Sequence, residues 1–313
     1  MNKNSIILVT GSAGMAGRAV VKELTRQGYL HTILLDKSDC DLLITDNVNA
    51  VFDYLHPEYV FHIAAKVGGI NANNTQSADF IYENLMMECN VIHAAYRYGV
   101  TKLIFCGSAC IYPKNTPMPI KEEYFLQGAL EETNKGYAIA KIAGVVLCEM
   151  YRKQYGCNFI SVMPTNLYGE HDNFHLTDSH VLPALLRKFN DAKVNKLPFV
   201  EVWGTGKVSR EFLYIEDLAK GLIFLMDNYN EPTPINIGTG QDISIMDLIA
   251  IIKKTVGYTG EVSWNTTYPD GVLVRKMDVT KINSLGWKAQ FSVEEGVQRT
   301  YDWFLTHIND IRK

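Results

Sequence analysis

A glycine-rich loop between an apolar strand and a helix is the feature that most constrains how this chain folds. Residues 5–10 (Ser-Ile-Ile-Leu-Val-Thr) form the short apolar run that a parallel strand buried on both faces requires. A helical pattern starts at Arg18, and the loop before it consists of Gly11, Ser12, Ala13, Gly14, Met15, Ala16 and Gly17. Glycines here permit a tight turn and let backbone N–H groups approach a pyrophosphate at the helix N-terminus. We therefore predict a dinucleotide-binding loop, with an ordinary strand-to-helix turn as the alternative, because the spacing is Gly-x-x-Gly-x-x-Gly.

Strands and helices alternate through the first half of the chain, which predicts a parallel sheet with right-handed crossovers. The predicted strands are 5–10, 31–36, 59–65, 102–108 and 159–164. The predicted helices are 17–27, 47–55, 79–98 and 137–155. The fold class that we expect is α/β, a Rossmann-type doubly wound parallel sheet with a smaller α/β substrate-binding lobe.

The regular alternation of predicted strands and helices ends after Pro164, so we place a domain boundary there. Residues 1–165 are predicted to form the dinucleotide-binding domain, and residues 166–313 mainly the substrate-binding lobe. Short strands near 199–203 and 234–238 are predicted for this second part. Some of its segments are expected to return to the first sheet.

Composition excludes several classes of protein. A hydrophobic content of 47% with 20% charged residues is typical of a globular protein. A net charge of −4 argues against nucleic-acid binding, which usually requires a basic surface patch. We expect no membrane span, since no apolar stretch reaches about 20 residues. Six cysteines without a CxxC pair predict free thiols in a reducing cytoplasm.

Tyr137 and Lys141 lie four residues apart and therefore share one helix face. A cation beside a phenol favours phenolate, which predicts a lowered pKa for Tyr137. Ser108, at the end of the fourth predicted strand, could hold a carbonyl oxygen beside that phenol. A Tyr-x-x-x-Lys spacing alone also fits a solvated polar stripe, and it gains weight from the glycine loop.

Together the glycine loop, Ser108, Tyr137 and Lys141 resemble the extended, nucleotide-sugar-modifying branch of the short-chain dehydrogenase/reductase superfamily. Longer blocks are similar to the GDP-L-fucose synthase family over essentially the full chain. These blocks are 62–70, 107–113, 137–144, 163–174, 179–187, 202–206 and 210–212.

This resemblance implies conversion of GDP-4-keto-6-deoxy-D-mannose to GDP-L-fucose, by epimerisation at C3 and C5 and NADPH-dependent reduction at C4. It implies that Ser108 and Tyr137 hold the C4 oxygen and that Cys110 and His180 are the acid/base pair. Tyr137 would donate a proton during reduction, with Lys141 beside it. Without the resemblance, Cys110 would be interpreted as a small core residue and His180 as a helix cap.

Binding residues also follow from the resemblance. Besides the glycine loop, the residues implied for NADP(H) are Asp36, Lys37, Ala64, Lys141, Pro164, Asn166, Leu167 and His180. Those implied for the GDP-sugar are Asn166, Lys188, Trp203, Arg210 and Asp270. No metal site is expected. The family also implies a homodimer packed through the helices near 79–98 and 137–155.

One position departs from the family pattern. Asp36 ends the second strand 19 residues after Gly17, where a carboxylate accepts hydrogen bonds from the ribose of NAD and repels the 2′-phosphate of NADP. Family members have arginine near the glycine loop and after this strand, whereas this chain has Ser12, Ala13 and Lys37. We predict NADP(H), with Lys37 pairing with the 2′-phosphate as a point charge.

Three alternatives stay open. A nucleotide-sugar 4-epimerase or 4,6-dehydratase shares the fold, but a dehydratase has a Thr-Asp-Glu type arrangement where this chain has Ser108-Ala109-Cys110. The same chemistry on a GDP-linked heptose is a second alternative. A non-catalytic nucleotide-sensing module is the third, since fold alone never proves function. The order of the epimerisations and the base at each carbon are left open.

Overall fold

The computed structural model describes residues 1–267, 270–309 and 311. Among these residues the strands are β1 (Ile6–Thr10), β2 (His31–Leu35), β3 (Tyr59–His62), β4 (Lys102–Cys106), β5 (Phe159–Pro164), β6 (Asn166–Tyr168), β7 (Phe199–Trp203), β8 (Ser209–Tyr214), β9 (Ile235–Ile237), β10 (Asp242–Ser244), β11 (Glu261–Asn265) and β12 (Val274–Arg275). The α-helices are α1 (Met15–Arg26), α2 (Thr45–Leu55), α3 (Ile70–Thr75), α4 (Ser77–Arg97), α5 (Lys135–Tyr155), α6 (Val181–Val194), α7 (Ile215–Asn228), α8 (Ile245–Val256), α9 (Thr280–Ser284) and α10 (Val293–Thr306).

Six parallel strands form the central sheet, in the order β2-β1-β3-β4-β5-β9. All five residues of β4 and all six of β5 are buried, as strands covered by helices on both faces require. The predicted α/β fold class, the five strands and the four helices are confirmed, with ends that shift by up to three residues. The order reverses between β1 and β3, and the ends of these strands therefore border the crevice in which such folds bind ligands.

The strand predicted near 234–238 belongs to the central sheet. Its position in the sequence had suggested the second lobe instead. It is β9, which pairs with β5 through Val162 opposite Ile235. All three of its residues are buried, and the Asn236 amide donates hydrogen bonds to the carbonyl oxygens of Ile120 and Asp278. A three-residue run is too short to carry a signal that distinguishes the two sheets. The division of the chain at residue 165 stays a prediction.

Smaller sheets cover the carboxyl edge of the central sheet. One has the order β10-β8-β12, with β6 also pairing with β8, and the other pairs β11 with β7. Glu211 of β8 is completely buried and accepts hydrogen bonds from the amides of Thr239 (2.6 Å), Gly240 (2.8 Å) and Met277 (2.6 Å). This carboxylate fastens the loop after β9 to the smaller sheet.

No helix within the described ranges is long and apolar enough to cross a membrane. All six cysteines are free thiols.

Candidate active site

The glycine loop joins β1 to α1 and touches the segment after β3. Gly11 has a φ of 70°, and a Cβ atom there would lie 2.7 Å from the Cα of Ala64. A Cβ atom on Gly17 would lie 2.1 Å from the carbonyl oxygen of Gly11. Gly14 is the N-cap of α1 and provides no side-chain cap, which leaves the first-turn N–H groups open to an anion. Side chains at Gly11 and Gly17 would collide with neighbouring backbone, so these glycines allow the tight loop that presents the first-turn N–H groups to a pyrophosphate.

Asp36 and Lys37 follow β2 directly, at the adenosine end of the predicted dinucleotide site. The Asp36 carboxylate accepts hydrogen bonds from the hydroxyl (2.6 Å) and the amide (2.8 Å) of Ser38. These bonds lower the pKa of Asp36. Lys37 is exposed. The structure thus offers one free-standing cation here and a carboxylate already engaged within its own turn.

Ser108 and Cys110 lie on a short turn that follows the buried strand β4. Ser108 has extended backbone and caps a single 3₁₀ turn, where its Oγ accepts a hydrogen bond of 3.3 Å from the Cys110 amide. Arg275 of β12 reaches this turn and donates to the carbonyl oxygens of Ala109 (3.0 Å) and Tyr112 (3.3 Å). The second lobe therefore holds the loop that carries both residues.

Tyr137 and Lys141 share one face of α5, as predicted. The Lys141 ammonium lies 5.8 Å from the centre of the Tyr137 ring. Phe80 of α4 packs edge-on against this ring, with centroids 6.3 Å apart. Lys141 itself is only 1% exposed, with its Nζ atom 3.1 Å from Oε1 of Glu88 and 3.1 Å from the carbonyl oxygen of Cys106, to which it donates.

The predicted lowering of the Tyr137 pKa is wrong. Burial raises the pKa of Tyr137 well above 10, and the neighbouring Cys110, Cys106 and Glu88 act in the same direction. The interaction with Ser108 opposes them. Burial of the phenol is the main cause, so Tyr137 is protonated at neutral pH. A phenol is the form that can donate a proton.

Cys110 and His180 are suited to opposite roles in proton transfer at neutral pH, one as donor and the other as acceptor. Burial raises the pKa of Cys110 to about 11, against the opposing effects of Ser108, Arg275 and Lys141. Desolvation by the surrounding groups lowers the pKa of His180 below 6.5, although the residue as a whole is exposed. The thiol thus keeps its proton and the imidazole is neutral. Cys110 therefore has a proton to give, and His180 is able to accept one.

His180 is the N-cap residue of α6, but its side chain makes no cap hydrogen bond. The helix-cap interpretation therefore does not describe what this side chain does. No hydrogen bond within the described ranges joins His180 to Ser108, Cys110 or Tyr137. The loop that precedes His180 is bound to Gly69, whose amide donates to the Asp178 carbonyl oxygen (2.8 Å).

The residues implied for the GDP-sugar lie mainly in the smaller sheets. Trp203 ends β7 and is 56% exposed. Asp270 accepts hydrogen bonds from the hydroxyl (2.6 Å) and the amide (3.0 Å) of Thr205, and its charge acts on Arg210 of β8. Lys188 of α6 faces Glu201 of β7. Arg210 therefore lies near Asp270, and Lys188 lies near the strand that ends at Trp203.

The remaining predicted residues lie where the central sheet meets the sheet that contains β6 and β8. Pro164 ends β5, and Asn166 and Leu167 belong to β6. The Asn166 amide donates to the carbonyl oxygen of Glu211 (2.8 Å) and is otherwise exposed.

Sequence reasoning missed Glu88 and Arg275. Glu88 follows Phe80 and Asn84 at four-residue spacing on the buried face of α4, so an acidic residue in a core position was the available signal. For Arg275 no local signal existed, because its contacts are with residues more than 160 positions away.

Comparison with known proteins places the chain in one family. Residues 7–238 match the NAD dependent epimerase/dehydratase family. The chain is 48% identical to GDP-L-fucose synthase 1 of Arabidopsis thaliana, over 98% of this chain and 95% of that protein. It superposes on a GDP-L-fucose synthetase from Naegleria fowleri bound to NADP with a TM-score of 0.93 and 31% identity, covering 100% and 98% of the two chains. For a GDP-mannoheptose C4 reductase from Campylobacter jejuni with NADP bound, the TM-score is 0.89 and the identity 41%, with coverage of 97% and 99%.

Proposed function

The chain belongs to the GDP-L-fucose synthase family of NAD-dependent epimerases and dehydratases, and we propose that it converts GDP-4-keto-6-deoxy-D-mannose to GDP-L-fucose with NADPH. The observation that carries this proposal is the cluster of Ser108, Cys110, Tyr137 and Lys141 at the end of β4 and the start of α5. It combines a hydroxyl, a protonated thiol and a protonated phenol at one ligand-binding edge.

Epimerisation uses the acidity of the carbons beside the C4 ketone. Loss of a proton from C3 or C5 gives an enolate whose charge collects on the C4 oxygen, where Ser108 and Tyr137 can donate hydrogen bonds. Inversion then requires a base on one side of the carbon and an acid on the other. Neutral His180 and protonated Cys110 supply these two states, and which of them serves at each carbon stays open.

Reduction at C4 uses the same two donors. NADPH, when bound, supplies a hydride to C4. Tyr137 donates its proton to the C4 oxygen as charge develops there, while Ser108 keeps that oxygen in place. The raised pKa of Tyr137 keeps the phenol protonated for this step.

Cofactor binding is assigned to the glycine loop and the residues around it. First-turn amides of α1 would hold the pyrophosphate, Lys37 the 2′-phosphate and Lys141 the nicotinamide ribose. On the sugar-nucleotide side, Lys188 and Arg210 would neutralise the GDP diphosphate, with Trp203 and Asp270 nearby.

A GDP-heptose is the second candidate substrate, because the chain is 41% identical to the GDP-mannoheptose C4 reductase. Purified protein given GDP-4-keto-6-deoxy-D-mannose or the corresponding GDP-4-keto-6-deoxy-heptose distinguishes the two by NADPH consumption. We expect kcat/KM to be at least about tenfold higher for the hexose, since one additional group in a pocket changes kcat/KM about 10- to 200-fold. A higher value for the heptose would replace the hexose assignment.

We also propose a homodimer packed through α4 and α5. These helices expose apolar side chains that a partner could cover, among them Tyr82 (61%), Met150 (45%) and Tyr155 (48%). Light scattering of the purified protein tests this assembly. The six free thiols fit the proposed cytoplasmic location.

A further inference from the structure

Glu88 is a buried carboxylate directly behind the Tyr137–Lys141 pair. Asn84, one turn earlier on α4, has its amide satisfied by the backbone of Lys66 and Phe80. Glu88 has no such partner, because neither carboxylate oxygen has a hydrogen bond among the described residues. Its nearest compensation is the Lys141 ammonium at 3.1 Å. A buried carboxylate is costly unless a partner compensates it, so Glu88 depends on Lys141.

Lys141 in turn is fixed on several sides. Its Nζ atom contacts Glu88, donates to the Cys106 carbonyl oxygen, and lies 4.7 Å from the centre of the Phe105 ring. The long lysine side chain thus has little freedom. Glu88 and Lys141 lie on α4 and α5, and their contact fixes where the ammonium sits relative to Tyr137.

The other titratable groups around this pair are uncharged at neutral pH. Among the described residues they are Tyr137 and Cys148 from α5, Cys106 from β4, Cys110 from the turn after β4, His62 from β3 and Cys89 from α4 itself. Burial raises the pKa of each thiol and of the phenol, and it lowers the pKa of His62 to about 3. Lys141 and Glu88 therefore determine the net charge of this buried cluster of titratable side chains. Burial raises the pKa of Glu88 to about 7.

We propose that Glu88 is a positioning residue for the reduction. When ionised, its carboxylate holds the Lys141 ammonium in place behind Tyr137. This inference rests on the proposed function, because it concerns the proton that Tyr137 gives to the C4 oxygen.

Charge counting gives the consequence of removing the carboxylate. In Glu88→Gln the cluster carries an uncompensated positive charge in a buried site. The Lys141 ammonium also loses the contact that fixes it behind Tyr137. A misplacement of about 1 Å in an active site can cost about 10²-fold in rate, so the effect is measurable.

The test is the pH dependence of kcat for C4 reduction, measured with NADPH and the proposed substrate between about pH 6 and pH 9. At about pH 6 Glu88 of the parent is largely protonated, so Glu88→Gln should retain the parent's rate within about threefold. Towards about pH 9 Glu88 of the parent is ionised and holds the Lys141 ammonium, so the ratio of variant to parent kcat should fall about tenfold or more. Glu88→Asp keeps the charge and should retain the parent's pH profile, even with a lower overall rate.

Asp217→Asn is the matched control, because it removes another buried carboxylate that lies on α7 and binds the amides of Gln290 and Phe291. This control should leave the pH profile of kcat unchanged. Equal loss of activity at every pH in Glu88→Gln would show a merely structural role and overturn the inference, as would an unchanged profile. A parent protein that does not reduce the ketone would instead refute the proposed function.

Discussion

The Asp36 carboxylate accepts two hydrogen bonds from Ser38, one from the hydroxyl at 2.6 Å and one from the amide at 2.8 Å. Both bonds go to Oδ1, so the acidic residue at the end of β2 is oriented by its own turn, while Oδ2 accepts neither of them. Lys37, the next residue, is exposed beside it.

We expect Lys37→Ala to weaken NADPH binding about 10- to 100-fold, because a charge-assisted contact with phosphate contributes about 1.5–3 kcal/mol. Binding of NADH should hardly change, since NADH has no 2′-phosphate. Titration of each cofactor into the protein measures both affinities directly. Asp36→Ala is the companion variant and should strengthen NADPH binding by removing a negative charge. A parent that prefers NADH and is indifferent to the loss of Lys37 would make Asp36 the ribose ligand.

Tyr137→Phe should reduce turnover about 10²- to 10⁴-fold, the contribution typical of a general acid. NADPH affinity should change little, because the substitution removes only the hydroxyl. Single-turnover oxidation of NADPH with the keto sugar separates the chemical step from binding. Turnover within about threefold of the parent, below that typical range, would remove Tyr137 from its assigned role.

Cys110→Ser and His180→Gln should impair proton exchange at C3 and C5 more than hydride transfer to C4. Both residues lack an obvious need in the reduction, whereas inversion requires an acid and a base. Incorporation of deuterium from D₂O at the two carbons, followed by NMR, measures the effect. Unchanged incorporation in both variants would leave Cys110 a core residue and His180 a residue at a helix start.

Alkylation of Cys110 should be strongly pH-dependent in the unliganded protein. Since burial raises the pKa of this thiol to about 11, the reactive thiolate is scarce at neutral pH, and its amount should rise about tenfold per pH unit up to about pH 10. Iodoacetamide labelling followed by peptide mass spectrometry measures the rate at this residue. A rate that levels off near pH 8 would indicate an ordinary thiol and remove the argument that Cys110 acts as an acid.

Sequence patterns predicted the central sheet well because its strands are buried on both faces. Continuous apolar runs such as Ile7–Val9 and Leu103–Phe105 have no other common explanation when helical patterns separate them. The three-residue strand β9 gave no such run, so its place beside β5 became visible only in the structure. The glycine loop was predictable for a related reason, since Gly11 and Gly17 leave no room for a side chain.

The electrostatics of the site were less predictable than its residues. The four-residue spacing placed Tyr137 and Lys141 together correctly, yet the direction of the Tyr137 pKa shift was wrong. That direction depends mainly on burial of the phenol, with a smaller contribution from Glu88, which lies 53 positions before Lys141 and meets it only when α4 packs on α5. Arg275 shows the same limit, because a contact between distant segments leaves no local pattern in the sequence.

The most direct test of the proposed function is the isotope pattern of the product made in D₂O from GDP-4-keto-6-deoxy-D-mannose and unlabelled NADPH. If one site performs both epimerisations and the reduction, NMR should show GDP-L-fucose with deuterium at C3 and C5 and protium at C4. The solvent would label the two inverted carbons, and the cofactor would supply the hydrogen at C4. A reduced product with protium at C3 and C5 would contradict the proposal and identify a C4 reductase without epimerase activity.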